Sequence, residues 1–399
     1  MGRLLIVSQV YPPDATAVGQ YLADLAEHLV SAGKPVSVVC ASAGYDDPSM
    51  RYSRSETRNG VEISRMPASS FGKRSIGHRL AGSVSFLAQA IAHGARLQDV
   101  DHVLVSTSPP IAALAALTLL RLRRLPWSYW VMDLNPEQAV AMGHFSDSHP
   151  AVRAFDLFNH VALRSARSVV TLDRYMADRL QRKFPRPIHV IPPWPLDRHV
   201  EPVEHQDNWF RREQGWDDKL VIMFSGNMSL TSPIDTAVDA AERLRDRSDV
   251  VFVFIGGGAG RKELERRLER EPLPNVKVLD YQPLEHLRYS LSAADAHIVT
   301  MGEAMVGITH PCKVYSALAV ARPLIAIAPK ESHIGALVSA GAGWRVEHGD
   351  VAGFVAAVDA LSKLESENRR SLGTRNVDLL RSELNPTTLR AQMAALISA

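Results

Sequence analysis

Short apolar runs alternate with amphipathic or alanine-rich stretches along almost the whole chain. Leucines and alanines repeat at helical spacing over residues 19–32, and Gly33 is a typical helix end. This alternation of strands and helices predicts a parallel sheet with helices on both faces. The apolar runs of the first half predict strands at 3–10, 35–42, 61–66, 102–106, 127–132, 168–172 and 188–191.

The pattern restarts after a proline-rich stretch at 192–195 and a polar segment at 205–219. We therefore predict an α/β fold of two Rossmann-like, doubly wound domains that face a cleft. The N-terminal domain takes residues 1–195, the C-terminal domain takes 203–384, and a last helix at about 385–399 returns to the first domain. The apolar runs of the second half predict strands at 220–225, 250–255, 276–279, 296–299 and 324–327.

Composition narrows the class of protein. The 399 residues are 46% hydrophobic and 22% charged, which is typical of a globular chain. No apolar run approaches the roughly 18 residues that span a bilayer, and Cys40 and Cys312 form no disulfide framework, so we expect a reduced, cytoplasmic protein. Residues 1–200 carry 22 Lys and Arg against 16 Asp and Glu, without the interleaved aromatics of a nucleic-acid binder, so nucleic acid is not an expected partner.

Glycine-rich loops follow the first two predicted strands of the second half. The first strand runs into Gly226 and Asn227, and the next runs into Gly256 and Gly257. Glycine lets a backbone approach a ligand closely, and free N–H groups at a helix start bind phosphate. The second loop does not fit the dinucleotide fingerprint G-x-G-x-x-G, because Arg261 stands where the third glycine belongs, so a dehydrogenase is disfavoured.

Lys313 is the most informative single residue. Pro311 fits the first turn of a helix, which puts Lys313 at the N-terminus of that helix. A cation there adds a full charge to the partial positive charge of the helix end, and this arrangement suits a diphosphate. In the same loop Glu303 is expected to accept hydrogen bonds from sugar or ribose hydroxyls. The alternatives are an exposed lysine and a solvent-facing carboxylate.

Carboxylates also follow two strands of the first half. Asp14 and Gly19 come after the first strand, and Asp133 and Glu137 come after the strand at 127–132. Paired carboxylates at this edge of the sheet would bind or orient an acceptor hydroxyl, or act as a general base. The alternative for Asp133 is a capping role in the next turn.

The sequence offers no recognisable metal site. The 15 histidines are scattered, and neither H-E-x-x-H, C-x-x-C nor an Asp-x-Asp segment after a strand is present. Adjacent acids at 46–47 and 217–218 lie in polar segments, where turn and solvent roles are expected. We therefore predict activity without a metal ion or other cofactor.

Seven short motifs, taken in order, resemble the retaining glycosyltransferases of family 4 with the GT-B fold, and in particular the L-fucosamine-transferase-like branch. The similarity covers nearly the whole chain. The motifs are YPPD at 11–14 followed by Gly19, STSPP at 106–110, MDLNPE at 132–137, FSGN at 224–227, FIGGG at 254–258, DYQP at 280–283 and HPCK at 310–313.

The resemblance implies a nucleotide-sugar in the C-terminal domain, an acceptor in the N-terminal domain, and no metal. Asn227 and Lys313 would lie by the diphosphate. Two further pairs complete the implied donor site, namely Tyr281 and Gln282 near the base and Glu303 and Gly307 near the donor sugar.

The chain also departs from the family pattern. Ser316 stands where many members carry the second of two glutamates, and Ala321 replaces the glycine usual before the final Arg-Pro or Lys-Pro. The Arg and Lys that many members carry after the first strand of the C-terminal domain are absent, so the phosphate charge falls to Lys313 and backbone amides.

We therefore interpret the chain as a glycosyltransferase of the hexosyl or N-acetylhexosaminyl type that uses a UDP-sugar and retains anomeric configuration. The acceptor is a glycan, a lipid-linked molecule or a small molecule. Two alternatives stay open, a GT-B nucleotide-sugar epimerase and a degenerate, non-catalytic binding subunit. Basic residues at 73–80 and at Arg123 and Arg124, beside Leu80, Phe86 and Leu87, favour peripheral contact with an anionic membrane, with a solvated basic helix as the alternative.

Overall fold

The computed structural model describes residues 2–14, 16–44, 47, 49–67, 76–196 and 201–398. The chain divides into two compact units, Met1–Pro193 with Thr387–Ala399, and Trp194–Pro386. Each unit contains one sheet covered by helices, so the predicted α/β fold class is confirmed.

The sheet of the first unit has eight strands in the order β3-β4-β2-β1-β5-β6-β7-β8, and every pair is parallel except β3 with β4. Its centre is apolar and buried, as the run Leu4 to Val7 shows with side chains that are 0% exposed. The strands are β1 (Arg3–Val7), β2 (Val36–Ala41), β3 (Ser55–Arg58), β4 (Val61–Met66), β5 (Val100–Ser106), β6 (Trp127–Trp130), β7 (Ser168–Thr171) and β8 (His189–Val190). The helices are α1 (Ala17–Ser31), α2 (Ile76–Arg96), α3 (Ala113–Arg123), α4 (Glu137–Ala141), α5 (Pro150–Ser165) and α6 (Arg174–Lys183).

The second unit has six strands in the order β11-β10-β9-β12-β13-β14, all parallel. Phe224, Phe252 and Phe254 are fully buried in its core. The strands are β9 (Leu220–Ser225), β10 (Val250–Ile255), β11 (Val276–Leu279), β12 (Ala296–Thr300), β13 (Leu324–Ile327) and β14 (Gly343–Val346). The helices are α7 (Trp209–Glu213), α8 (Asp235–Arg243), α9 (Ala259–Arg270), α10 (Leu287–Ser292), α11 (Lys313–Ala319), α12 (His333–Leu337), α13 (Val351–Lys363) and α14 (Ser366–Glu383).

The last helix, α15 (Pro386–Ser398), packs on the first unit. Leu389, Met393 and Ile397 are buried at a spacing of four residues, so one face of α15 is apolar. Its Arg390 donates to both carboxylate oxygens of Asp24 on α1 at 3.1 Å. The chain therefore returns to the unit in which it began.

Strand order reverses direction at β1 in the first unit and at β9 in the second. The chain adds strands on one side of β1 up to β4 and then crosses to the other side at β5. In the second sheet it does the same around β9, with β10 and β11 on one side and β12 on the other. The crevice beyond the carboxyl ends of the strands at such a point is where ligands of doubly wound sheets bind. A site is therefore expected at the loops after β1, β5 and β6 in the first unit, and at those after β9, β10 and β12 in the second.

Several predictions about elements and surfaces need correction. Helix α11 begins at Lys313 with Cys312 as its N-cap, so Pro311 precedes the helix instead of lying in its first turn. Phe86 and Leu87 are buried in the core and cannot contact a membrane. The basic residues at 73–75 lie outside the described residues. Among the described helices none is long and apolar enough to cross a bilayer.

Candidate functional site

Three loops at the carboxyl edge of the second sheet are held together by backbone hydrogen bonds. After β9, the N–H of Gly226 donates to Ile255 O at 2.9 Å and that of Met228 to Gly257 O at 2.7 Å. The N–H of Gly256 donates to Leu279 O, at the end of β11, at 3.0 Å. The predicted glycine-rich loops therefore lie side by side and form one surface of backbone.

Glycine is required where these loops touch. Gly256 has φ +130°, and a Cβ built on it would lie 2.1 Å from Gly226 O. Gly258 has φ +107°, and a Cβ on it would lie 2.2 Å from Asn227 Oδ1. Any side chain at either position would push the two loops apart and strain the backbone. The sequence motifs FSGN and FIGGG thus form a single structure.

Lys313 places its ammonium beside this surface. Nζ lies 3.9 Å from the centroid of the Phe224 ring and donates to Asn227 O at 3.3 Å. No carboxylate in the described part of the chain pairs with it, and burial lowers its pKa to about 7. A cation that the protein leaves without a counter-charge is suited to an anionic ligand.

Arg261 is a structural partner of this site that the sequence analysis missed. Its Nη1 donates to Gly256 O at 2.7 Å and to Asp280 Oδ1 at 2.6 Å, and its Nε donates to Glu265 Oε1 at 2.7 Å. The residue that breaks the dinucleotide fingerprint therefore ties the loop after β10 to the loop after β11. Nothing in the sequence marks Asp280 as its partner, although the arginine in place of a third glycine was a signal.

The two residues expected near a nucleobase lie on the loop after β11. Tyr281 is 60% exposed, and its ring lies against Gly256 and Gly257, where built Cβ atoms would come within 3.2 and 3.1 Å of it. Gln282 is half-buried and donates from Nε2 to Asp280 O at 2.9 Å. One side of the tyrosine ring is therefore supported by backbone while the residue stays open to solvent.

The loop after β12 joins the same edge, because Gly302 N donates to Thr231 O at 3.0 Å. Glu303 is exposed at the start of a short 3-10 helix, and Gly307 is buried with φ +67°. His310 Nε2 lies 2.5 Å from Tyr315 Oη. Its ring stacks on His333 with centroids 3.7 Å apart. Both histidines, which the sequence analysis did not select, stiffen the backbone that carries Lys313.

In the first unit, Asp133 lines a cavity of about 670 Å³ at the carboxyl ends of β1, β5 and β6. Thr107 Oγ1 accepts hydrogen bonds from the Met132 and Asp133 N–H groups, at 3.1 and 3.2 Å, and so fixes the backbone there. The Asp133 carboxylate makes no hydrogen bond to a described residue, and burial raises its pKa to about 6. A half-buried carboxyl of this kind in a cavity is a candidate for binding or accepting a proton.

The other three residues that were expected to bind the acceptor have structural partners within the first unit. Glu137 binds Lys183 Nζ at 2.8 Å, and Asp14 accepts a hydrogen bond from Tyr52 Oη at 3.1 Å. Gly19 lets α1 pack against the backbone of Tyr11, where a built Cβ would lie 3.2 Å from its Cα. Of the expected acceptor residues, only Asp133 is among the described residues that line the large cavity.

Comparison with known protein families agrees with this architecture. Residues 16–194 match the glycosyl transferase 4-like domain, and residues 206–376 match the glycosyl transferases group 1 domain. The two matches follow the two structural units and together cover most of the chain.

Individual relatives point the same way. The chain is 25% identical to the probable glycosyltransferase WbjE of Pseudomonas aeruginosa over 273 aligned residues. The alignment covers 68% of each chain. It is 23% identical to the putative colanic acid biosynthesis glycosyl transferase WcaI of Escherichia coli K12, over 84% of this chain and 85% of that one.

Among solved structures, that of Anabaena HepE in complex with UDP and glucose superposes with a TM-score of 0.76 at 15% identity, over 100% of both chains. This likeness shows the shared fold. The chain therefore belongs to the glycosyltransferases that combine a 4-like domain with a group 1 domain, and it has the GT-B fold.

Proposed function

We propose that the protein transfers a sugar from a UDP-sugar to a hydroxyl-bearing acceptor and retains the anomeric configuration. The observation that carries the proposal is the ammonium of Lys313, which has no carboxylate partner among the described residues and lies beside the joined glycine loops. A diphosphate supplies the missing negative charge, and Gly226, where a built Cβ would lie 3.7 Å from Lys313 Nζ, keeps the backbone beside the ammonium free of a side chain. The UDP complex of the similarly folded HepE supports the choice of nucleotide.

Each part of the donor has a matching part of the second unit. Lys313 and the loop at Asn227 take the diphosphate. The exposed Tyr281 ring offers a stacking surface for the base, with Gln282 beside it, and we assign Glu303 and Gly307 to the donor sugar from the family resemblance. No step in this scheme uses a metal ion, and we propose a metal-independent enzyme.

Retention is best explained by attack on the same face that the leaving group departs from. The acceptor oxygen forms a bond to the anomeric carbon as the bond to the diphosphate breaks, and the hydroxyl proton passes to a diphosphate oxygen. Negative charge grows on the leaving group in the transition state, so Lys313 stabilises that state more than the bound donor. Assignment to the L-fucosamine-transferase-like branch, and to hexosyl or N-acetylhexosaminyl transfer, remains a prediction.

Acceptor binding is assigned to Asp133, because Asp14 and Glu137 already have side-chain partners. The carboxylate would accept a hydrogen bond from an acceptor hydroxyl and orient it. WcaI and WbjE are named as glycosyltransferases, and the former as a colanic acid enzyme, which supports a polysaccharide precursor as the wider class of acceptor. A cytoplasmic location with peripheral membrane contact is the setting we propose.

The test separates the two sites. Lys313→Ala removes a charge-assisted contact worth roughly 1.5–3 kcal/mol, so calorimetry should show UDP affinity falling about 10- to 150-fold, with transfer falling further. Asp133→Asn keeps the shape of its side chain and should leave UDP affinity unchanged while transfer collapses. Equal loss of UDP affinity in both variants would contradict this assignment of donor and acceptor sites.

The same assay decides between the alternatives. UDP-sugar consumption that requires an added acceptor pool supports transfer. Consumption without any acceptor, with an altered free sugar as product, is the result expected of an epimerase. UDP binding without consumption is the result expected of a non-catalytic subunit.

A further inference from the structure

The cavity at Asp133 is lined mainly by apolar side chains. Val10 and Val18 come from the region of β1 and α1, Ile111 from the loop after β5, and Val152 and Phe155 from α5. Prolines from the loops after β5 and β6 complete the wall. A volume of about 670 Å³ is in the range of sites that enclose most of a small organic ligand. A sugar alone could use the polar side chains of the lining, but it would leave the apolar part of the wall without an apolar partner.

The polar side chains of the cavity are mostly uncharged hydroxyls and amides, from Gln9, Thr16, Ser83, Thr107, Ser108, Asn135 and Gln138, with the imidazole of His78 beside them. Asp133 is the only acidic residue in the described lining, and no lysine or arginine contributes to that lining. A phosphate or carboxylate bound there would face Asp133 with no lysine or arginine of the described lining to compensate its charge, which is unfavourable. The part of the acceptor inside the cavity is therefore uncharged.

The apolar surface continues beyond the cavity along two helices. Leu80 lines the cavity and is 55% exposed, and Val84, one turn further along α2, is 51% exposed. Ile111 lines the cavity, and Leu114 at the start of α3 follows it by three residues and is 43% exposed. Apolar residues at this spacing lie on the same face as the cavity wall, so an apolar chain leaving the cavity meets apolar surface on both helices.

We infer that the acceptor is an amphiphile, with its reacting hydroxyl at Asp133 and an uncharged, apolar group in the cavity. This inference rests on the proposed function, because it takes Asp133 as the acceptor carboxylate. It distinguishes among the acceptors that the sequence leaves open. A free glycan or a sugar phosphate has no apolar group to pack against the apolar lining of the cavity, whereas an alkyl- or aryl-linked sugar does.

The probe is a series of uncharged alkyl β-glucosides from methyl to octyl, each used below its micelle concentration and titrated into the full chain by calorimetry. Burial of one methylene should raise affinity by about fourfold, so affinity should climb steadily with chain length. Leu80→Glu places a charge at the mouth of the cavity and should weaken octyl glucoside at least tenfold. Ala151 lines the cavity and is exposed, so Ala151→Trp should also weaken octyl glucoside at least tenfold, because the indole would occupy part of the cavity.

Leu122→Glu is the matched control, because Leu122 is 65% exposed on α3 and does not line the cavity. The Leu122→Glu variant should bind every glucoside of the series with the same affinity as the unchanged protein. UDP binding, measured in the same samples, reports folding of the second unit. Equal affinity for methyl and octyl glucoside would overturn the inference, as would a gain with chain length that Leu80→Glu leaves intact. Failure of the proposed function is distinguishable, because it removes UDP binding in every sample while the glucoside series still reports on the cavity.

Discussion

The charge of Lys313 is supported by a ring and a carbonyl oxygen but by no carboxylate among the described residues. The Phe224 ring and Asn227 O partly replace the water that the ammonium loses, and the remaining cost of burial lowers its pKa to about 7. Asp133 shows the opposite effect, since burial without a hydrogen-bonded partner raises its pKa to about 6. Both side chains are held at a free-energy cost that a bound substrate would reduce.

The lowered pKa of Lys313 predicts how donor affinity depends on pH. In the proposed donor site, protonated Lys313 would bind the diphosphate better than the neutral amine, and binding would raise its pKa, so we expect proton uptake on binding above about pH 7. Affinity for UDP-glucose, whose diphosphate stays ionised throughout, should be constant below about pH 7. It should then fall by up to tenfold per pH unit above that value. Calorimetry in buffers of different ionisation enthalpy measures the proton uptake directly.

Lys313→Arg is the control for this titration, because a guanidinium stays protonated over the whole range. The pH dependence should disappear in that variant even if its affinity is lower. A slope that survives in Lys313→Arg would show that another group titrates, and would contradict the role given to the lysine.

At the scale of single elements, the end of α11 has an unusual backbone. Ala321 has φ +56°, the left-handed conformation that glycine adopts at a helix end. Its N–H donates to Leu318 O at 3.0 Å and that of Arg322 to Ala317 O at 3.3 Å, so the conformation is set by the helix termination itself. The alanine that departs from the family pattern therefore occupies a position whose geometry still favours glycine.

Ala321→Gly should raise the free energy of unfolding of the second unit by about 0.5–1 kcal/mol. Removal of the Cβ relieves left-handed strain, and the greater freedom of glycine in the unfolded chain offsets part of the gain. Ala319→Gly, in the same helix with ordinary helical geometry, should instead lower it by about 1 kcal/mol. Urea unfolding of both variants measures the change in the free energy of unfolding, which should be positive for Ala321→Gly and negative for Ala319→Gly. A loss of stability in both would mean that Ala321 is not strained.

Element by element, apolar runs were the reliable signal in the sequence. Strands β9, β10, β11 and β13 have the predicted bounds, and β9, β10 and β13 are buried runs of mainly apolar residues. Strand β3 was missed since its four residues, Ser-Glu-Thr-Arg, are all exposed on the sheet edge, and β14 was missed because it is short and half-buried. Side-chain partners follow a different rule. Arg261 with Asp280, and Glu137 with Lys183, join residues far apart in sequence, which no local pattern reveals.

At the scale of the whole molecule, α15 makes the first unit discontinuous in sequence. Met393 is fully buried in the middle of its apolar face, and the ion pair of Arg390 with Asp24 joins it to α1. Met393→Ala leaves a cavity that typically costs about 2–5 kcal/mol. In a calorimetric scan, the transition of the first unit should shift to lower temperature.

Addition of UDP should raise only the transition of the second unit, since a ligand stabilises the part that binds it. Gln392→Ala, an exposed neighbour on the same helix, should change neither transition. If Met393→Ala lowered the temperature of the UDP-sensitive transition instead, the assignment of α15 to the first unit would be contradicted.

The return of α15 also sets an order of events during synthesis. Residues up to Pro193 leave the ribosome early, but the helix that completes their unit begins near Thr387, after the whole of the second unit has been made. At translation rates of about 5–20 residues per second, this delay lasts about 10–40 s. The second unit is continuous and can close on itself during that time. The half of the molecule that is made first is thus the last to be finished, and until then the surface that α15 covers is available to chaperones.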